Sequence, residues 1–332
     1  MKIGNVDTKE KVFVVAEIGN NHEGSFANAE KLVRAAAESG VDAVKFQTFR
    51  AKWFTSNVDP ARFARAQKFE LSFDDFGRLE KLARSVGLSF ISTPLDLESA
   101  DFLEPLVDSF KIASGDNDFW ALIDRASKSK KPLIVSTGLS SMDDVKKTRD
   151  FITQRRALDD VAFLHCVSAY PAPPAQLNLS AIPLLATELG VTIGYSDHTM
   201  GIEASIASVA LGARIVEKHF TLDKHFSDFR DHQLSADPDE MKRIVTHVRA
   251  VEGMLGKREK SVQEAERPIA PVARRSIVAG SDLARGHRLA LQDLTWIRPA
   301  GGLRPGEEEK VLGRTLVRDV KFGEKITLAD LE

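Results

Sequence analysis

Two lysines, two histidines and a glutamate fall at or near the ends of short apolar runs. Glu17 closes VFVVAE (12–17), Lys45 lies in VDAVKFQ (41–47) and Lys111 in SFKIAS (109–114). His198 follows VTIGYS (191–196), and His219 lies in ARIVEKHF (213–220) with Glu217 two residues before it. Hydroxyls occupy equivalent places. Thr93 ends LSFIST (88–93), Ser114 ends the Lys111 run, Ser136 lies in PLIVST (132–137) and Ser196 ends its own run. VAFLHC (161–166) leads on to Ser168 and Tyr170. Gathered in one place, two ammoniums and several hydroxyls donate hydrogen bonds without adding negative charge, which suits a small anion carrying phosphate and carboxylate. Two imidazoles from adjacent strand ends suit a transition metal with open positions: Mn, Fe or Zn. Glu17 then reads as a general base or as a group supporting the others.

Other chemistry-bearing residues have plainer readings. Cys166 reads as a small buried residue, and His165 beside it as a buried, hydrogen-bonded histidine. His225 and His232 follow the eighth run in a loop and read as solvated or structural. His22, in the tight segment NNHEG (20–24), stands between a loop-building role and substrate contact.

These residues need elements that bring them together. The eight runs are near-continuously apolar, as expected for parallel strands buried on both faces. Helical patterns separate them. FANAEKLVRAAAESG (26–40) and FDDFGRLEKLARSVG (73–87) each end in a glycine suited to a C′ position. The helix after the eighth run opens with Pro238, tolerated in a first turn. Eight strand–helix units over about 240 residues fit a (β/α)8 TIM barrel, whose active site lies at the C-terminal strand ends. The segment 52–72 is longer than one connection needs and is expected to cover part of one end.

The α/β barrel domain is placed at 1–255, a polar linker at 256–273 and a small β-rich domain at 274–332. Within the last, GSDLARGHRLALQDL and DVKFGEKITLADL read as two copies of one turn unit. So thin a core calls for docking or dimerisation.

The 332 residues carry 46 Lys+Arg against 48 Asp+Glu, a net charge of −2, which gives no reason to expect nucleic acid or an anionic membrane as partner. No apolar run approaches a bilayer's thickness, and MKIGNVDTKEK has no apolar stretch of the signal-peptide kind. A single cysteine excludes internal disulfides and a thiolate zinc cage, and it suits a reducing cytoplasm.

The residues also match a known pattern. AEIGNNHEG (16–24), VKFQT (44–48), FISTP (90–94), KIASGD (111–116), IVSTG (134–138), LHCVSAYP (164–171), IGYSDHT (193–199) and VEKHF (216–220) occur in order. So arranged, the chain resembles the sialic acid synthases, the phosphoenolpyruvate-dependent nonulosonic acid synthases. IRPAGGLRPG (297–306) resembles the core of that family's C-terminal antifreeze-like (SAF) domain.

The resemblance implies condensation of phosphoenolpyruvate with an open-chain N-acyl hexosamine, N-acetylmannosamine or a modified relative. Water enters, phosphate leaves and a nine-carbon 2-keto acid forms. It implies phosphoenolpyruvate contacts at Lys45, Thr93, Lys111, Ser114, Ser136 and Ser196, and a divalent metal, typically manganese (Mn2+), on His198 and His219. It gives the catalytic carboxylate as Glu17. Sugar contacts fall on Gln47, Asp116, Tyr170 and Asp231, with Arg298 reaching in from the partner subunit of a domain-swapped homodimer. The metal would act as Lewis acid on the sugar aldehyde while carbon 3 of phosphoenolpyruvate attacks, and water would add at carbon 2.

The chain departs from the pattern chiefly on the sugar side. Leu95 stands for a frequent Phe, Ser168 for Asn, Asp116 for Glu, and Arg230 for a proline in FRD (229–231). Asp96 and Arg230 are accordingly expected to face a substituent absent from plain N-acetylmannosamine. Legionaminate- and pseudaminate-type acceptors stay open. From other classes, a Schiff-base aldolase on Lys45, Lys111 or Lys218 and a carbohydrate-binding module are the alternatives.

Overall fold

The computed structural model describes residues 1–332. All eight apolar runs form strands: β1 (Phe13–Gly19), β2 (Ala43–Thr48), β3 (Ser89–Pro94), β4 (Ser109–Ile112), β5 (Leu133–Ser136), β6 (Val161–Cys166), β7 (Thr192–Asp197) and β8 (Ile215–His219). They close in sequence order into a parallel barrel, with β8 pairing back onto β1. Ser114 lies beyond the strand it was expected to end, since β4 stops at Ile112 and Ser114–Asp116 is a 3-10 turn.

Buried side chains pack on both faces of the sheet. Phe13, Val15, Ala43, Ile91, Ile134, Ala162, Leu164 and Ile215 fill the lumen. The opposite faces pack against helices around Val14, Val44, Phe90, Phe110 and Phe163. A short antiparallel hairpin, Lys2–Ile3 with Val6–Asp7, adds Met1 and Ile3 to the luminal cluster. The hairpin is too short for periodicity to show it.

The helices start where side-chain caps allow. Ser25 caps α1 (Phe26–Glu38) by accepting Asn28 N–H. The over-long 52–72 segment supplies α2 (Ala51–Phe54) and α3 (Pro60–Phe69), the latter opened by Asp59 and Pro60. Ser72 and Asp75 form a capping box on α4 (Phe73–Ser85). Asp237 caps the helix Pro238–Leu255 through Glu240 N–H.

The chain divides into compact units Met1–Gly256 and Lys257–Glu332, so the segment 257–273 groups with the second. In that unit β9 (Ser276–Ala279) pairs antiparallel with β10 (Leu294–Ile297), over a core that includes Ile277, Leu289, Val311, Leu316, Val320 and Ile326. The two turn copies behave as repeats. Asp282 accepts Phe322 N–H at 2.9 Å, while Asp319 accepts Arg285 N–H at 2.7 Å. Asp293 and Asp330 each accept the N–H three residues before them, at 2.8 Å.

Candidate active site

Alternation along parallel strands sends Glu17, Lys45, Lys111, Ser196, Glu217 and His219 to the lumen at its C-terminal end, where all are buried. Glu17 pairs with Lys45 on β2 in the regular register, and a bulge directly after it sets Gly19 opposite Phe46.

Lys45 Nζ is 3.0 Å from Glu17 Oε1 and 3.5 Å from Glu217 Oε1, and it donates to Thr93 Oγ1 at 3.2 Å. Ser196 Oγ donates to the same Glu217 oxygen at 3.1 Å. Lys111 Nζ donates to Ser136 Oγ at 2.6 Å and to Ile112 O at 2.9 Å. Ser114 Oγ accepts Gly138 N–H at 3.1 Å. A Cβ on Gly138 would lie 2.6 Å from that hydroxyl and 2.2 Å from Ser168 Oγ, so the close approach requires glycine. Gln47 Nε2 reaches Glu17 at 3.4 Å, and Asn20 Nδ2 holds Gln47 Oε1 at 2.9 Å.

Burial and charge set these groups apart. Burial raises the Glu17 carboxyl to about 7 despite the Lys45 ammonium beside it. Burial also opposes ionisation of Glu217, but Lys111 and Lys45 overcome it and hold that carboxyl down to about 2. Desolvation works against the Lys45 ammonium too, yet Glu17 and Glu217 keep its pKa above the usual value. Lys111 is pushed down by burial, with Glu217 only partly compensating.

The histidines meet beside this network, with ring centroids 5.6 Å apart. His198 Nδ1 donates to Val167 O at 2.9 Å, and Cys166 Sγ lies 3.6 Å from the same nitrogen. Burial opposes charge on His198, but the Cys166 thiol and the Val167 carbonyl outweigh it and raise its pKa. Burial, with His198 and Lys45 nearby, keeps His219 neutral, and its Nδ1 is buried without a hydrogen-bond partner. Two imidazoles, one carrying an unpartnered buried nitrogen, fit a divalent cation. No third His, Cys, Asp or Glu joins them in a ligand cluster, so the protein would supply two donors.

Above lies a cleft of ≈ 560 Å³ lined by residues including Asn20, Gln47, Tyr170, His219, Arg230 and Asp231, with Arg62 and Arg65 contributed by α3. Tyr170 stacks on His198 at 4.2 Å, and the Arg230 guanidinium covers its ring at 4.4 Å. Burial raises the Asp231 carboxyl against the pull of Arg230. Gln47, Tyr170 and Asp231 therefore share one cavity. Asp116 is not among its lining residues. Burial and then the Asp118 charge raise its carboxyl to about 6. Arg298 follows β10 in the second unit and is exposed there.

Asp96 is not among the residues lining this cleft either. Its Oδ1 accepts Ser99 N–H at 2.8 Å, and Oδ2 accepts Ser99 Oγ at 2.9 Å and Arg50 N–H at 2.8 Å, so it caps the helix Leu97–Leu103. Lys218 is likewise no nucleophile of this cavity, because it projects outward and is paired with Asp197. Glu217, given no role from sequence, shares the face of His219 two residues on, a signal that strand alternation already carried. Arg62 and Arg65 enter on α3, within a segment that the sequence showed only as an over-long connection. His232 is buried against Thr221 Oγ1 at 2.7 Å, and His225 is exposed.

Fold and cavity together define a barrel enzyme with a buried, polar floor at its C-terminal strand ends. The chain belongs to the NeuB family, whose model matches residues 32–260, and a SAF domain matches residues 274–332. It is 37% identical to an N,N'-diacetyllegionaminic acid synthase of Legionella pneumophila, over 96% of this chain and 94% of that protein. It is 34% identical to a pseudaminic acid synthase of Campylobacter jejuni, over 100% of both. A crystal structure of N-acetylneuraminic acid (sialic acid) synthetase from Leptospira borgpetersenii superposes with a TM-score of 0.77 at 30% identity. That match covers 81% of this chain and 94% of the other.

Proposed function

We propose that this chain is a nonulosonic acid synthase. It condenses phosphoenolpyruvate with an open-chain N-acyl hexosamine and water, releasing phosphate and a nine-carbon 2-keto acid. The observation that carries this reading is the pairing of two buried lysines with hydroxyls on separate strands, Lys45 with Thr93 and Lys111 with Ser136, beside a carboxyl raised to about 7. A structural barrel has no use for these charges, since burying them is costly.

Lys45 and Lys111, with Thr93, Ser114, Ser136 and Ser196, offset the phosphate and carboxylate of phosphoenolpyruvate in a largely dry site. Gln47, Tyr170 and Asp231 position the acceptor, and Asp116 acts beside them on the Lys111 side. When bound to His198 and His219, a divalent cation, Mn2+ by preference, supplies Lewis acidity toward the acceptor's aldehyde oxygen. Glu17 takes a proton from the water that adds at carbon 2 and can return it as phosphate leaves. Arg298 of one subunit completes the cleft of another in a homodimer, and the enzyme works in the cytoplasm, where Cys166 stays reduced.

A phosphate-release assay with phosphoenolpyruvate, Mn2+ and a panel of N-acyl hexosamines, including diacetamido-dideoxyhexoses, tests the reading. Release with one sugar, abolished by EDTA, is the expected result. Absence of release with every sugar would refute it. A substrate adduct on Lys111 trapped by borohydride would favour the aldolase instead.

A further inference from the structure

Each imidazole of the proposed cation site has a charged neighbour that the reaction leaves unused. Asp197 precedes His198, and Lys218 precedes His219. These neighbours meet on the outer side of the sheet, in register across β7 and β8. Lys218 Nζ lies 3.2 Å from Asp197 Oδ2, and both side chains are 0% exposed.

The pair is fully wired. Asp197 Oδ1 accepts Thr199 N–H at 2.8 Å and Thr199 Oγ1 at 2.7 Å, while Oδ2 accepts Ser205 Oγ at 2.6 Å. Lys218 Nζ donates to Thr199 O at 2.6 Å. Thr199 thus binds both charges, and the turn 197–199 that presents His198 is tied to the strand residue beside His219. From the opposite side, His198 donates to Val167 O and its own carbonyl accepts Ala172 N–H at 2.9 Å. Desolvation makes a buried ion pair a poor device for stability alone. Fixing two strand ends against each other is a use that justifies it.

We infer that Asp197 and Lys218 are positioning residues that set the His198–His219 spacing for a divalent cation. The inference rests on the cation reading under Proposed function. Its test is Mn2+ binding to the full chain, followed by the electron paramagnetic resonance signal of free Mn2+, together with phosphoenolpyruvate binding by calorimetry in EDTA. The proteins are the wild type, Asp197→Asn, the double variant Asp197→Asn/Lys218→Met, and His219→Ala.

Asp197→Asn is expected to weaken Mn2+ binding about 10–100-fold. Phosphoenolpyruvate affinity should stay within about twofold, because Lys45, Thr93, Lys111, Ser114 and Ser136 stand away from β7 and only Ser196, on the opposite face from Asp197, shares that strand. The double variant, which leaves no lone buried charge, carries the same expectation if the single variant does not fold. Wild-type Mn2+ affinity in these variants, with binding weakened in His219→Ala, overturns the positioning role alone. Mn2+ binding untouched in His219→Ala overturns the cation reading and this inference with it.

Discussion

Lys45 touches two carboxylates in a cavity where an anion is to bind, and the two carboxylates behave differently. Glu217 is held ionised by both lysines, whereas Glu17 sits near neutrality at about 7. Only Glu17 can exchange a proton at modest cost under physiological conditions. Glu17→Gln is therefore expected to lower kcat by about 10²–10⁴-fold with an unchanged thermal melt; near-wild-type turnover would remove it from the chemistry. A second residue-scale effect concerns stability. His22 is fully buried, its Nδ1 accepts Gly24 N–H at 3.0 Å, and burial pushes its pKa from the usual 6.5 to about 4. The unfolded chain thus takes up this proton first, so the stability contribution is complete above 6.5 and is lost as pH falls toward 4. The stability difference between wild type and His22→Asn should narrow by about 3 kcal/mol across that window, measured by urea denaturation at several pH values. The residue types of the cavity floor were legible because charged groups on the inner face of apolar strands are costly to bury without a use, whereas His165 and Lys218, in the same strands, face outward and serve the structure. Asp96 was misread because a helix-capping aspartate and a substrate-facing one look identical without the hydrogen bonds.

The barrel strands were legible because both faces of each are buried, which leaves continuous apolar runs. The N-terminal hairpin escaped because strands of two residues have no period. The hardest part to read was the wall of the proposed acceptor cleft, where α3 packs against the loop after β1. Gly24 is the joint between them. Its φ is +77°, and a Cβ there would come within 1.9 Å of Lys68 O in the last turn of α3. The same loop carries Glu23, whose side chain bonds Ser227 and pairs with Lys68 at 3.4 Å. Gly24→Ala must therefore push α3 away from the cleft or strain the loop, at a cost of at least 1–2 kcal/mol, on the order of a left-handed alanine. The expected signature is an acceptor KM raised about tenfold with the phosphoenolpyruvate KM unchanged, because Lys45 is held by Glu17, Glu217 and Thr93 and Lys111 by Ser136, none of them in this loop. Equal changes in both constants would show that the loop supports the whole barrel mouth rather than one wall.

At the scale of the molecule, the proposed acceptor cleft is rich in arginine and aromatic groups within one chain, yet the proposal also draws on Arg298 in the second compact unit. The repeat in that unit was legible because its two copies use aspartates in the same way, Asp282 and Asp319 each bonding the opposite turn. What spacing could not supply is which subunit's cleft Arg298 serves in the proposed homodimer, since sequence carries no record of contacts between copies. Hybrid dimers separate the cases. Arg298→Ala keeps an intact barrel, and Lys111→Met keeps an intact Arg298. If the arginine serves its partner, one of the two sites in each hybrid has both parts. Random exchange at equal concentrations makes half the dimers hybrid, so about a quarter of wild-type activity should return from two nearly inactive parents. Activity equal to the parental average, with exchange verified by tagged subunits, would mean that each chain completes its own site.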